Sequence, residues 1–362
     1  MTGGRGAESG AARRSLGNWP GAFSSSNPFV GVLAADLERR GWRCVSIDRL
    51  SEARAARLDA LILHWPEYAL AHRTLVGGVF AALKLGWRLY RLHAANVRLI
   101  WIVHNLQPHE LRGPGGAFLW RRTLAALPRL LDGYVTLSPG TLPLVARAEP
   151  RFGGVAGAWG WHPVYPDARI GADERAAARA KLGVDDGGVL IGSFGGLRGY
   201  KGYEQLLAAF RGLADPRLRL VFGGRAAGAR TAAFADRLQA EIGGDDRITL
   251  IRRFLPDDEY RTLVNACDVC VFPYNRYMHS GAMIYALSAG RRVLASETPF
   301  SRSLAAIMPD GVVDLYRGPL SADILARAAA ADNAAEPDLA RFEDATLADA
   351  IESLLATSSG RK

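Results

Sequence analysis

The 362-residue sequence predicts an α/β protein made of two doubly wound, Rossmann-like domains facing an interdomain cleft. Three observations predict it. Apolar runs of strand length alternate with longer segments of helical period, the pattern of a parallel sheet covered on both faces. The alternation occurs twice, on either side of a Gly-, Trp- and Pro-rich stretch without period at 153–173. The length suits about two domains of ~150 residues.

In chain order, residues 1–18 are small, polar and basic and read as a disordered tail. Residues 19–160 form the first domain. Its strands are 60–64 (ALILH), 97–104 (VRLIWIVH) and 133–137 (GYVTL). Residues 74–94 and 116–131 have helical period between them. Residues 161–345 form the second domain, with strands at 189–194, 218–223, 248–250, 269–272 and 293–295. Helices at 202–213, 229–242, 257–266 and 281–289 link them. Residues 346–362 are a closing helix and tail. In doubly wound sheets, ligands bind at the carboxyl ends of strands, so the strand-end motifs are where function is sought.

Composition narrows the classes. Hydrophobic residues are 49% and charged residues 22%, which excludes a disordered chain. Three cysteines cannot staple a chain this long, so a reducing compartment is expected. The apolar stretch 75–83 ends at Lys84, short of the ~18 residues of a spanning helix. The N-terminus lacks the apolar core of a secretory signal. The expectation is a soluble, cytoplasmic protein. A formal net charge of +9 leaves room for an anionic partner. Nucleic acid is not expected, because the arginines are dispersed and no binding module is visible.

The strongest motif runs from Ser193 to Gly202 (SFGGLRGYKG). A strand ends, Gly195 and Gly196 free the backbone, Arg198 and Lys201 follow, and a helix begins. This suits an anion, best a diphosphate. The Walker spacing is absent, as is the dinucleotide fingerprint. A second motif is Tyr274-Asn-Arg-Tyr277-Met-His279-Ser280-Gly281-Ala282, where Ser280 is a natural N-cap and Gly281 lets a ligand approach the amides. The first half offers Asn27-Pro28-Phe29, His64-Trp65-Pro66-Glu67 and His104-Asn-Leu-Gln-Pro-His109-Glu110. Two His-plus-Glu clusters at one sheet edge make an acid/base constellation. Cys267-x-x-Cys270 has no second pair and reads as two small buried residues. Neither a metal-binding spacing nor an Asp-x-Asp is present, so no metal and no cofactor is expected.

With these residues in view, the chain resembles GT-B glycosyltransferases, most closely the bacterial exopolysaccharide β-mannosyltransferases of the xanthan-assembly type. The resemblance rests on Asn27-Pro28-Phe29, His64 to Tyr68, His104 to Glu110, Phe194 to Gly202 and, loosely, His279 to Gly281 with Ala286-Leu287-Ser288. The order and spacing hold from about residue 27 to 300. The interdomain link departs from the family pattern, reading Trp159-Gly160-Trp161-His162. The Glu-x7-Glu of common retaining GT-B families falls on Tyr277 and Tyr285, which argues for inversion.

The resemblance implies transfer of a hexose from a nucleotide sugar, with GDP-mannose the best match, to a lipid-diphosphate-linked glycan. Gly195, Gly196, Arg198, Lys201 and His279 to Ala282 would bind the donor. Asn27, His64 and Trp65 would bind the acceptor. Glu110 would be the base, with Glu67 second, and His104 and His109 would orient hydroxyls or the base. The nucleobase stays open. The alternatives are a retaining transferase using a UDP-sugar, a nucleotide-sugar epimerase and a non-catalytic scaffold. Residues 85–93 and 118–122 mix aromatics with arginines and suit the inner face of an anionic membrane.

Overall fold

The computed structural model describes residues 14–21, 28–70, 74–107, 115–331 and 335–357. Contacts divide the chain into two compact units. The first runs to Leu137, takes in Leu142–Trp161 and includes the chain from Thr346 onward. The second holds Ser138–Thr141 and His162–Ala345.

In the first unit the elements are β1 (Ser15–Trp19), α1 (Pro28–Arg39), β2 (Arg43–Ser46), β3 (Ala60–Leu63), α2 (Leu75–Ala94), β4 (Arg98–Ile102), α3 (Gly116–Ala126), β5 (Gly133–Thr136), α4 (Leu142–Ala148) and β6 (Gly157–Trp159). The strands form one parallel sheet in the order β2-β1-β3-β4-β5-β6. The continuous apolar strands predicted by the sequence are β3 and β4, where Ala60–Leu63 and Leu99–Ile102 are all buried.

Two expectations for this half need correction. The tail does not extend to residue 18: Ser15–Trp19 is a buried strand paired on both sides. Its S-L-G-N-W sequence shows no apolar run, because its register between β2 and β3 is held by backbone hydrogen bonds that any side chain permits. The helix expected at 116–131 stops at Ala126 and continues as a 3-10 turn, Leu127–Arg129. Pro128 has no amide hydrogen to continue the α-helical ladder.

In the second unit the elements are α5 (Ala172–Lys181), β7 (Val189–Phe194), α6 (Tyr203–Arg211), β8 (Leu218–Gly223), α7 (Ala229–Ile242), β9 (Ile248–Ile251), α8 (Asp257–Ala266), β10 (Val269–Phe272), α9 (Gly281–Ser288), β11 (Arg292–Ser296), α10 (Pro299–Ala305), β12 (Val313–Tyr316) and α11 (Ala322–Ala330). The strands form a second parallel sheet, β12-β11-β10-β7-β8-β9. Helix α5 escapes a search for apolar period because only Ala178 is buried. It docks through Arg175 and Arg179, each 2.7 Å from a carboxylate oxygen of Asp268.

The chain then returns. Helix α12 (Leu347–Ala356), opened by a Thr346/Asp349 capping box, packs on the first unit. Leu347, Ile351 and Leu354 join Leu16, Phe29, Ile62, Ile100 and Val135 in one core cluster. The second unit has its own, centred on Ile191, Tyr203, Phe210, Leu220 and Phe222.

Candidate active site

Each sheet has one point where the strand order reverses, and a crevice opens there beyond the carboxyl ends. In the second unit it lies between β7 and β10, which pair in the sheet although β8 and β9 intervene in sequence. The β7–α6 loop and the β10–α9 loop meet there. Gly195 has φ +125° and Gly202 has φ +69°, both left-handed. A Cβ on Gly202 would sit 1.9 Å from the Pro273 carbonyl oxygen, so only glycine lets the two loops touch. The Asn275 amide donates to the Tyr200 carbonyl at 2.9 Å and ties them further.

Lys201 folds back over this junction. Its Nζ lies 2.2 Å from where a Gly195 Cβ would be. It donates to the Tyr274 hydroxyl at 3.1 Å and sits 4.8 Å from the centre of that ring. Arg198 runs alongside Gly196, whose Cβ would be 3.5 Å from the guanidinium Nε. The Lys201 ammonium is pushed below its usual range, first by burial and further by the charge of Arg198, while Tyr200 acts in the opposite sense. Two cations pressed together in a half-buried loop favour an anion between or beside them.

The second predicted motif is connected to the first. The Tyr274 hydroxyl is also hydrogen-bonded to the Ser280 side chain. Ser280 caps α9 by accepting from the Met283 amide at 3.3 Å. Tyr274 thus bridges the lysine of one loop to the helix start of the other. His279 Nε2 is 2.8 Å from Thr141 Oγ1, and its ring meets Phe300 edge-on. Gly281 and Ala282 open the helix, half-exposed. A Cβ on Gly281 would lie 3.1 Å from His162 Nε2 and 3.4 Å from the Tyr165 hydroxyl. His162 Nδ1 donates to the Pro163 carbonyl at 2.9 Å. Burial lowers its pKa to about 4, which keeps the ring neutral.

Tyr277 and Tyr285, where the resemblance puts the retaining-type carboxylates, are both tyrosines held by the protein. The Tyr277 hydroxyl donates to the Ser296 carbonyl at 2.8 Å. Tyr285 packs against Tyr165 and Tyr260. Burial pushes both phenols up, so neither brings negative charge to the crevice.

In the first unit the order reverses between β1 and β3. His64, just past β3, is buried and lies 3.0 Å through Nε2 from Asn18 Oδ1 at the end of β1. Its Nδ1 is 3.3 Å from His104 Nε2, just past β4. With the amide oxygen accepting, His64 donates from Nε2 and accepts at Nδ1 from His104. Burial drives His64 to about 3, so its ring is neutral. Trp65 stacks on His104 at 4.2 Å, and Phe29 meets both imidazoles edge-on. Glu67, in the 3-10 turn Pro66–Leu70, is also buried, and burial raises its carboxyl to about 7. A carboxyl poised there can exchange a proton near neutral pH. Trp120 Nε1 donates to the Leu106 carbonyl at 2.7 Å and pins the segment after His104 to α3.

The structure therefore groups Gly195, Gly196, Arg198, Lys201, Ser280, Gly281 and Ala282 at one crevice, and His64, Trp65 and His104 at the other. Asn27, His109 and Glu110 lie outside the described residues. Sequence reasoning missed Tyr274, which lay inside a quoted motif, and Asn18, hidden in the expected tail. It also missed Thr141 and Tyr165, which bear no local motif, and His162, which it met only as the end of the interdomain link. Among the described residues, no group of three His, Cys, Asp or Glu side chains could hold a metal ion.

Residues 188–331 match the family model for glycosyl transferases group 1. The chain is 31% identical over 300 residues to the GDP-mannose:glycolipid 4-beta-D-mannosyltransferase of Xanthomonas campestris pv. campestris, covering 81% of this chain and 78% of that one. Among solved structures, HepE from Anabaena in complex with UDP-glucose superposes with a TM-score of 0.64 at 15% identity, covering 95% of this chain and 98% of the other. The sucrose-phosphate synthase of Thermosynechococcus elongatus gives 0.63 at 16% identity, covering 95% and 90%. The structural likenesses establish the fold, and the sequence relative establishes the kinship. The chain belongs to the family of the Xanthomonas mannosyltransferase and is a glycosyltransferase of the GT-B fold.

Proposed function

We propose that this transferase moves mannose from GDP-mannose, with inversion, to a hydroxyl of a lipid-diphosphate-linked oligosaccharide in exopolysaccharide or cell-envelope glycan assembly. It would work at the inner face of the cell membrane. The observation that carries the reading is the Arg198–Lys201 pair, held beside Tyr274 and the start of α9 with no carboxylate at Tyr277 or Tyr285. The donor and acceptor named for the Xanthomonas relative support the choice of substrates.

The chemistry follows from charge. A base removes the proton of the acceptor hydroxyl. The oxygen attacks C1 of the mannose from the face opposite the nucleotide. The bond from C1 to the β-phosphate oxygen breaks, and GDP leaves with the negative charge. Arg198, Lys201 and the amides of Gly281 and Ala282 stabilise that charge without a metal. His279 lies beside them. We assign the base to Glu110, with Glu67 the second candidate. His104, His109, Asn27, His64 and Trp65 orient the acceptor.

The test is a thermal-shift panel of GDP, UDP, ADP and their common sugars with Lys201→Ala as control, followed by NMR of the product anomer. A guanine-selective shift lost in the variant, with a β-mannoside product, is expected. A uridine-selective shift overturns the donor, and an α-product overturns inversion. Conversion of the nucleotide sugar without acceptor would make the protein an epimerase.

A further inference from the structure

Helix α2 is a 20-residue helix with two unlike faces. Gly78, Leu85, Leu89 and Leu92 are buried against the unit. Val76, Phe80, Leu83, Trp87 and Tyr90 are exposed, Phe80 by 69% and Leu83 by 65%. At 100° per residue these five fall within an arc of about 80°, opposite the buried four. Phe118 of α3 is exposed as well. This is an apolar patch on a surface where large apolar side chains usually stand singly.

Charge runs along its flank. Lys84, Arg88 and Arg91 lie on one side of the stripe, and the Arg91 guanidinium sits 4.9 Å over the Trp87 ring. Arg121 and Arg122 of α3 are exposed. Residues 75–94 and 116–131 contain six Lys and Arg and not one Asp or Glu. Between α2 and α3 runs an apolar groove of about 370 Å³, lined among others by Leu83, Gly86, Trp87, Leu119 and Leu130, with Arg122 at its edge. Trp120, which the sequence placed on the same surface, is instead buried.

We infer that the α2–α3 face docks on an anionic bilayer, with α2 lying in the interface plane and the groove receiving a lipid hydrocarbon chain. Among the described residues no helix is long and apolar enough to cross a membrane. A helix with an apolar stripe, flanking arginines and no acid suits the boundary between headgroups and acyl chains. Charge opposes the simplest rival: two copies of this face would bring twelve cations together, twice the six of one copy. The chain itself offers no cover. Residues 1–13, 22–27, 71–73, 108–114, 332–334 and 358–362 hold Met1, Phe23 and Leu111 as their only large apolar residues. The inference deepens the proposed function, resting on it only in that a lipid-linked acceptor resides in a bilayer.

The experiment is flotation of the full chain with phosphatidylcholine vesicles, with and without phosphatidylglycerol, at low and high salt. Binding to the anionic vesicles alone, weakened by salt, is expected. Phe80→Asp with Trp87→Asp, both at exposed positions, should weaken it at least tenfold while the nucleotide-induced thermal shift stays unchanged. Gly86→Phe, which fills the groove and keeps the apolar stripe, should weaken it less. Indifference of the wild type to anionic lipid, or full binding by the double variant, overturns the inference. So does a wild-type dimer that the double variant converts to monomer. Vesicle binding by a chain that forms no mannosyl product refutes the proposed function and leaves this inference standing.

Discussion

The two crevices occupy equivalent places in the two sheets and are built from opposite materials. At β7/β10 the parts are glycines at positive φ, two cations and a capped helix start. At β1/β3 they are buried Asn18 and a buried neutral His64, linked to half-buried His104 with its stacked Trp65. A diphosphate has the same charge and shape whatever sugar it bears, so backbone amides and fixed cations serve it. An acceptor hydroxyl must be aimed and deprotonated, which calls for side chains whose tautomers are set by one another.

If that division of labour is right, variants on the two sides should fail in different observables. The largest effect is expected from Arg198→Ala with Lys201→Ala. Losing both cations should lower transfer about 10³-fold or more, by analogy with the loss of charge-stabilising donors at other active sites. A calorimetric titration should show nucleotide binding lost as well. Next is Glu67→Gln. If Glu67 is the base, kcat/KM rises with pH through about 7 in the wild type, and the variant is both flat and about 10²-fold slower. A retained rise, with the loss appearing in Glu110→Gln, assigns the base to Glu110.

Tyr274→Phe should weaken nucleotide binding by about tenfold, because one hydroxyl holds both Lys201 and Ser280 and a net hydrogen bond is worth about 1 kcal/mol. Its mirror on the other side is His64→Leu. That variant should lower stability by about 1–3 kcal/mol by stranding the Asn18 amide, with nucleotide affinity untouched. If His64→Leu weakens the nucleotide, the two crevices do not divide the labour.

The last comparison is the response to acid, read in stability alone. Unfolded histidine gains a proton near 6.5, but folded His64 and His162 stay neutral to about 3 and about 4. The unfolded state thus binds two more protons between about pH 4.5 and 6.5, and stability falls as pH falls. Glu67 opposes this, because folded Glu67 keeps its proton to about 7 while the unfolded group loses it near 4.5. The net of one proton predicts a loss of about 1.4 kcal/mol per pH unit in that window. Glu67→Gln should steepen it toward about 2.7 kcal/mol, read from denaturation midpoints at pH 5 and 6.

Legibility in the sequence followed the range of the interactions. The glycine-and-cation loop was readable because its parts are neighbours: Phe194 to Gly202 is nine residues in which strand end, glycines, cations and helix start succeed one another. The buried strands β3 and β4 were readable because both faces are covered, leaving unbroken apolar runs. Edge strands β2 and β12, half-buried, show no such run. Asn18 was unreadable because a polar residue in a polar stretch becomes significant only when β1 lies beside β3.

The sequence alone determined the two-fold αβ alternation, the glycine-and-cation loop and the histidine motifs, because each depends on residues within one or two turns of one another. Only the tertiary structure decided that Tyr274 joins the β7–α6 and β10–α9 loops, that His64 is neutral and paired with Asn18, and that the last helix returns to the first unit. Those outcomes depend on burial and on contacts across tens to hundreds of residues, which strand order creates and local pattern does not contain.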